Sequence, residues 1–174
     1  MLKSACIGIV GAATVALASF PSQAQISNDV VKIGVLTDMN GVFSDAVGAG
    51  SVLAAKMAVE DFGGSVLGKP IEVVSADHQN KADVGAAVAR QWFDADKVDA
   101  IFDLNTSSVA LAVQQIGRDK KRLTFMSGAG SSDITGKFCT PYTVLCLRSC
   151  LGERYDTVDH EERWQGAGFC SVTT

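Results

Sequence analysis

The sequence has few of the groups that catalysis, metal binding or nucleic-acid binding requires. Its 174 residues include only two histidines, His78 and His160, and neither has a nearby nucleophile, acid–base pair or metal-ligand spacing. We expect His78 to be a solvated loop residue. The net charge is −4, and the largest basic cluster, residues 118–122, lies at a predicted helix end, where cations favour the helix dipole. We therefore expect no enzyme activity, no cofactor or metal, and no nucleic-acid partner.

The first 24 residues have the pattern of an export signal. Lys3 provides a positive start, residues 5–20 are apolar, and the small residues that follow predict cleavage after Ala24. The apolar run is shorter than the roughly 20 residues that a membrane-spanning helix needs. An alternative interpretation takes Gly8 and Gly11 as a dinucleotide-binding turn, but the third glycine and a suitably spaced second strand are missing. We expect an exported, periplasmic protein.

Cysteine is scarce in the regular part of the chain. Of five cysteines, Cys139 is the only one between residues 25 and 144, and three others follow residue 145. Exported proteins usually have oxidised cysteines. An odd cysteine in such a chain therefore calls for a partner or a reactive role.

Residues 25–144 alternate between strand and helix patterns. Apolar, β-branched segments predict buried parallel strands at 29–37, 71–76, 98–104 and 123–127. Helices are predicted at 45–62, after Asn80, which is expected to cap its helix, and after residue 106. Strands that alternate with helices predict βαβ units. The fold class is therefore α/β, with a parallel sheet flanked by helices.

Each predicted helix has apolar residues at helical spacing, which predicts one buried face per helix. These faces are Val52, Ala55, Val59 and Phe62 in the first helix, Val84, Val88 and Trp92 in the second, and Val109, Ala112, Val113 and Ile116 in the third.

Three loops that follow predicted strands are candidates for a ligand site. They are residues 38–44, 105–108 and 128–133. In open α/β sheets, ligands bind beyond the carboxyl ends of the strands. Thr106 or Ser107 begins a helix whose first N–H groups have no helical acceptor, and such a helix end accepts an anion.

The glycine-containing loop and one aromatic residue extend this candidate site. Ala129 and Gly130 leave backbone N–H and C=O groups accessible to a small zwitterion, and Phe43 would cover a ligand with an apolar face. The alternative is that residues 106–108 only cap a helix and residues 128–133 only form a turn.

Four stretches of the chain resemble the type I periplasmic substrate-binding proteins of ABC transporters, in the leucine/isoleucine/valine-binding branch. The opening strand and its turn, the hydroxyl-rich helix start and the loop SGAGSSD occur in family order. The four stretches are residues 31–64, 68–93, 98–117 and 125–144. The resemblance implies the N-terminal lobe of a two-lobed protein that delivers an amino acid or a related small carboxylate to an ABC permease in the inner membrane.

The resemblance also implies roles for individual residues. The ligand carboxylate would be held by hydroxyl and N–H groups of Thr106, Ser107, Ala129 and Ser131. The ligand ammonium would bind to the Ala129 carbonyl, the Ser131 hydroxyl and an acidic residue of the second lobe. Phe43 would form one side of the pocket. Because some members take aromatic acids or amides, the ligand stays open.

Residues 145–174 depart from this pattern. They contain three of the five cysteines and eight charged residues, with neither a helical nor an alternating apolar stripe. Family members run to more than twice this length, so we expect a reading-frame shift near codon 145, with the second lobe missing. A genuine tail is the alternative. On this interpretation the chain is a truncated and impaired substrate-binding component.

Three other functions are compatible with parts of the sequence. A signalling receiver domain would use Asp38 and Asp103 at strand ends. However, a receiver is cytoplasmic and requires a lysine after its last strand, whereas this chain has an export signal and the residues SGAG at that position. A small secreted α/β enzyme lacks a catalytic constellation. A non-functional truncated product is compatible with the substrate-binding interpretation.

Overall fold

The computed structural model describes residues 29–146 and 167–169, which form a single mixed sheet with helices on both faces. The strands are β1 (Val31–Thr37), β2 (Ser65–Val66), β3 (Lys69–Asp77), β4 (Ala100–Phe102), β5 (Leu123–Met126), β6 (Thr143–Cys146) and β7 (Ala167–Phe169). The helices are α1 (Gly48–Asp61), α2 (Ala82–Gln91) and α3 (Ser107–Lys120), and a π-helical turn (Trp92–Asp96) continues α2. The predicted export signal and its cleavage site lie outside the described residues.

The strand order is β2-β3-β1-β4-β5-β6-β7. The five strands from β3 to β6 are parallel, whereas β2 and β7 pair antiparallel at the two edges. β1 and β3 are paired along all of β1, from Val31 beside Ile71 to Thr37 beside Asp77. The predicted α/β class with a parallel sheet and flanking helices is confirmed.

The main core lies between the sheet and the pair α2 and α3. Leu36 and Ile101 of the sheet are fully buried there, as are Val109 and Val113 of α3. Gly34 in β1 lets the Trp92 ring approach, because a Cβ on Gly34 would lie only 2.5 Å from that ring. The Trp92 side chain therefore fills the space that Gly34, which has no side chain, leaves on the surface of the sheet.

The predicted face of α3 is largely right, and that of α2 is right only in part. In α3, Val109, Val113 and Ile116 are buried, and Ala112 is half-buried. In α2 and its continuation Trp92 is buried, but Val84 and Val88 are only half-buried, and the buried positions are Gly85, Ala86 and Ala89. Small residues take the inner position because α2 packs closely against α3, where a Cβ on Gly85 would lie 2.6 Å from Val109 Cγ1.

The predicted cap of α2 is wrong. Lys81, not Asn80, precedes the helix, and no side chain caps its first turn. Asn80 has a positive φ of 54° and donates its own N–H to His78 Nδ1, at 2.9 Å. Asp83 does lie in the first turn of the helix, where it favours the dipole.

The prediction of a buried face on α1 is also wrong in part. Val52, Ala55 and Val59 are half-buried, Phe62 is 65% exposed, and Gly48 is the buried residue of this helix. α1 packs against β1 and β3, and no helix of the described residues covers the same side of β4 and β5. The face predicted to be buried therefore borders an open groove.

Three short strands were not predicted. β2 forms a hairpin with β3, β6 crosses the boundary expected at residue 144, and β7 pairs with β6 from within the irregular tail. Cys139 is half-buried and disulfide-bonded, the oxidised state expected of an exported protein. No helix in the described part of the chain is long and apolar enough to cross a membrane.

Candidate ligand-binding site at the carboxyl edge of the sheet

The three candidate loops lie at one edge of the sheet. They follow β1, β4 and β5, which are neighbours and run parallel. Parallel neighbours end at the same edge, so the sheet places these loops side by side.

The first loop is held by a buried carboxylate. Asp38 is fully buried, and its two oxygens accept the N–H groups of Gly41, at 2.8 Å, and Phe43, at 3.0 Å. Gly41 is required here because a Cβ at this position would collide with the Asp38 carboxylate. The backbone of Phe43 is thereby fixed, and its side chain is 42% exposed.

Asp77, at the end of β3, ties the first loop to the neighbouring one. Its carboxylate accepts the N–H of Gln79 at 2.7 Å, the Asn40 amide at 2.9 Å and the N–H of Met39 at 3.1 Å. Burial opposes ionisation of this carboxyl, but the hydrogen bonds outweigh it and hold the pKa of Asp77 below its usual value. The loop that carries Phe43 is therefore anchored on the β1 and β3 side of the edge.

Thr106 lies at the start of α3 with an extended backbone, φ −101° and ψ 126°, and its side chain makes no capping hydrogen bond. Its Oγ1 is buried and has no hydrogen-bond partner among the described residues. The first hydrogen bond of the helix runs from Ala110 N–H to the Thr106 carbonyl, at 2.8 Å. The N–H groups of residues 107–109 come before this bond and therefore have no acceptor within the helix. Ser107, at the helix start, is half-buried.

The loop after β5 lies against the loop after β4. A Cβ on Gly128 would lie 3.5 Å from the Asn105 carbonyl oxygen, so these two backbones approach closely. Ala129 is 4% exposed, Gly130 is exposed, and Ser131 is half-buried. Ser131 Oγ accepts the Asp133 N–H at 3.3 Å, which caps a short 3-10 turn. This bond uses one of its two lone pairs and leaves its O–H hydrogen to be donated.

The interpretation of His78 as a solvated loop residue is wrong. The residue is fully buried between the loops after β3 and β4. Its Nδ1 accepts the Asn80 N–H at 2.9 Å, so Nε2 carries the proton and donates to Asn105 Oδ1 at 3.1 Å. Its position after a strand was visible in the sequence, but its partner is 27 residues away and no local pattern reveals it.

Asp103, which an acidic pocket of a receiver domain would use, instead joins the ends of β4 and β5. It has a positive φ of 66°, and its Oδ1 accepts the Ser127 hydroxyl at 2.6 Å. Its Oδ2 is buried with no hydrogen-bond partner among the described residues.

The edge as a whole offers donors to an anion: the first N–H groups of α3 and the hydroxyls of Thr106 and Ser131. Within the described residues, no group of three or more histidine, cysteine, aspartate or glutamate side chains is arranged to hold a metal ion. The geometry suits the binding of a small carboxylate.

A family model described as periplasmic binding protein matches residues 30–149. The chain belongs to this family. The resemblance found in the sequence is thereby confirmed at the level of the family, whose members among the structural relatives below are ligand-binding components of ABC transporters. No curated protein matches the chain.

Solved structures of the periplasmic binding protein family match the described lobe. A periplasmic binding protein from Burkholderia mallei is 48% identical, with a TM-score of 0.65 over 67% of this chain and 32% of that one. A branched chain amino acid ABC transporter periplasmic ligand-binding protein from Burkholderia xenovorans LB400 is 49% identical, with a TM-score of 0.63 over 66% and 30%.

A more distant family member is a solute binding protein of an ABC transporter from Rhodopseudomonas palustris BisB5, solved in complex with 3,4-dihydroxy benzoic acid. It is 28% identical, with a TM-score of 0.60 over 68% of this chain and 32% of that one. The match thus spans about a third of the length of these family members.

Proposed function

We propose that the described residues form one wall of the ligand cleft of an ABC-transporter substrate-binding protein, and that the ligand is a small carboxylate. The observation that carries this proposal is the Thr106 hydroxyl, which is buried, does not cap its helix and adjoins the unpaired N–H groups at the start of α3. A carboxylate would accept from all of these donors. The protein would act in the periplasm and deliver its ligand to an ABC permease in the inner membrane.

Two ligand classes follow from the relatives. The 49% identical structure is a branched-chain amino acid binder by its name, and the 28% identical one holds an aromatic acid. Both kinds of ligand share a carboxylate, and it is this shared group that the edge would bind. A branched-chain amino acid is the first choice because the more similar relative is named for this class of ligand.

Individual residues have distinct parts in this proposal. Thr106 and Ser107 would donate to the carboxylate from the start of α3, and the backbone of Ala129 and Gly130 would border the ligand. Ser131 would donate its O–H to the carboxylate, since its bond to the Asp133 N–H uses a lone pair and not this hydrogen. Phe43 would form the apolar wall from the opposite side of the edge.

The proposal can be tested by titrating the ¹⁵N-labelled 174-residue chain with L-leucine and with 3,4-dihydroxybenzoate. Because the described residues supply one wall of a cleft, we expect dissociation constants in the millimolar range, about 4 kcal/mol of binding free energy. The amide signals of residues 106–109 and 128–131 should shift. L-Leucinamide, which lacks the carboxylate, should shift them far less.

Two variants make this test specific. Thr106→Val keeps the shape but removes the hydroxyl, so we expect affinity to fall by roughly tenfold, as for the loss of one hydrogen bond to a charged group. Ser108→Ala, exposed in the same helical turn, should bind as the parent does. An absence of shifts at these amides would favour a product without binding activity, and micromolar affinity would contradict the one-wall interpretation.

A further inference from the structure

The hydrogen bond between His78 and Asn105 joins two loops of the carboxyl edge. His78 follows β3 and Asn105 lies in the loop after β4, and β1 is placed between these two strands. The bond, from Nε2 to Oδ1 at 3.1 Å, therefore bridges the end of β1. Asn105 directly precedes Thr106, and a Cβ on Gly128 would lie 3.6 Å from the Asn105 Cβ. The Asn105 side chain thus lies where the loops after β3, β4 and β5 meet.

The direction of the hydrogen bonds fixes the orientation of the Asn105 amide. The Asn80 backbone N–H can only donate, so His78 Nδ1 accepts it, at 2.9 Å, and the ring carries its hydrogen on Nε2. This hydrogen must meet an acceptor, which is Asn105 Oδ1. Because His78 is fully buried, its ring nitrogens cannot exchange these partners for water without cost. The nitrogen of the Asn105 amide is therefore the end left for another partner.

This amide nitrogen is open to a ligand. Asn105 is half-buried, and its Nδ2 makes no hydrogen bond with the described residues and is not enclosed by them. An amide nitrogen carries two N–H donors. The next residue in the chain, Thr106, has a buried and unpartnered hydroxyl, and the N–H groups at the start of α3 follow it. The unused amide donors thus adjoin the donors already assigned to a carboxylate.

We infer that Asn105 donates a side-chain N–H to the ligand carboxylate, and that His78 is the positioning residue that holds the amide in this orientation. The inference rests on the proposed function, because it adds a donor to the same site. N–H donors bind a charged oxygen more strongly than a neutral one, so the amide favours a carboxylate over an amide or an ester. Without the bond from His78, the Asn105 amide is free to turn and to present Oδ1, whose lone pairs repel a carboxylate.

The alternative is that the two residues only bridge the loops, and Asn105→Asp separates the two roles. Aspartate keeps an oxygen that accepts the Nε2 hydrogen of His78, but it replaces both N–H donors with a second acceptor. A bridge that needs only this hydrogen bond survives the exchange. A donor to a carboxylate is lost, and a negative charge takes its place.

The test is a titration of the ¹⁵N-labelled 174-residue chain with L-leucine and with 3,4-dihydroxybenzoate. We expect the side-chain N–H signals of Asn105 to shift with the same dissociation constant as the backbone amides of residues 106–109. Asn105→Asp should bind about tenfold more weakly or worse, while its urea midpoint stays near that of the parent. Gln79→Glu makes the same exchange at an exposed side chain of the loop after β3, where charge is screened, and should bind within about twofold of the parent.

A second pair of variants tests the positioning role of His78. His78→Leu removes both hydrogen bonds of the ring and should weaken binding by about fivefold. His78→Gln supplies a new N–H donor for Asn105 Oδ1 and should recover most of this loss. In the parent, the ¹⁵N signals of the imidazole should show the hydrogen on Nε2. Asn105→Asp carries the test where His78→Leu does not fold.

The outcomes distinguish this inference from the proposed function. If the backbone amides of residues 106–109 shift while the Asn105 side-chain signals do not, or if Asn105→Asp binds as the parent does, the donor role of Asn105 is wrong and the carboxylate site stands. A hydrogen on Nδ1 of His78 would overturn the positioning role. An absence of any shift in the parent would overturn both the inference and the proposed function.

Discussion

The loop that holds Phe43 depends on one buried side chain, so Asp38→Ala should both destabilise the protein and release this loop. Asp38 is fully buried, and its carboxylate accepts two backbone hydrogen bonds, of 2.8 and 3.0 Å. Alanine leaves the N–H groups of Gly41 and Phe43 without this acceptor. It also removes the interaction that closes the loop directly after β1.

The expected loss follows from the number and kind of these hydrogen bonds. A hydrogen bond to a charged acceptor contributes about 1.5–3 kcal/mol. Gly41 and Phe43 are exposed residues whose N–H groups can regain water in the variant, so the lower end applies. For two hydrogen bonds we expect a loss of about 3 kcal/mol in the free energy of unfolding, or roughly 12 °C in Tm for a lobe of this size.

Urea unfolding followed by circular dichroism measures the loss, and hydrogen exchange at the Gly41 and Phe43 amides locates it. Asp45→Ala, an exposed acid in the same loop, is the control and should change stability by less than about 0.5 kcal/mol. Asp38→Asn, which retains one acceptor oxygen, should lie between the two. If Asp38→Ala is no more destabilising than the control, or if both amides keep their protection, the carboxylate does not hold the loop.

Two further predictions concern packing and pH. Gly85→Ala should lower the free energy of unfolding by about 1–2 kcal/mol in urea titrations, because its Cβ would lie 2.6 Å from Val109 Cγ1. Gly50→Ala on α1, which meets nothing within 4 Å, should instead raise it by up to about 1 kcal/mol, and equal effects of the two would contradict the close packing of α2 on α3. Because the pKa of Asp77 is lowered on folding, its contribution to stability is present above its unfolded value near 3.9 and is lost as pH falls through the folded value. The difference in urea midpoint between the parent and Asp77→Asn should therefore be present at pH 6 and shrink below pH 4; a difference that does not vary with pH would contradict this.

Much of the candidate site could be predicted because its signals are local. A hydroxyl residue between a strand and an apolar helical stripe indicates a helix start, and Thr106 and Ser107 are found there. Parallel strands end at one edge, so the loops after β4 and β5 were expected to meet, as the contact between Asn105 and Gly128 shows. What the sequence did not reveal are the partners of His78 and Asp103, because these depend on residues 27 and 24 positions away.

The short strands escaped prediction for a related reason. β2 has only two residues, too few to show a period, and β6 lies across residue 144, where the regular pattern ends. Each is paired with a neighbouring strand that supplies its hydrogen bonds. β7 lies in a segment with no apolar pattern and is paired with β6 only in the folded sheet. Their backbone pairing is a property of the sheet and not of their side chains.

The sequence by itself determined the α/β class, the order of its main strands and helices, and the start of α3. The signals for these features are the spacing of apolar residues and the residues that begin or end an element, and both are local in the chain. Only the tertiary structure decided which of the predicted helix faces are buried. The apolar positions of α1 show a helical period, yet Phe62 is 65% exposed because the neighbouring strands β4 and β5 lack a covering helix among the described residues. Periodicity states which residues share a face of a helix, whereas burial depends on what lies opposite that face.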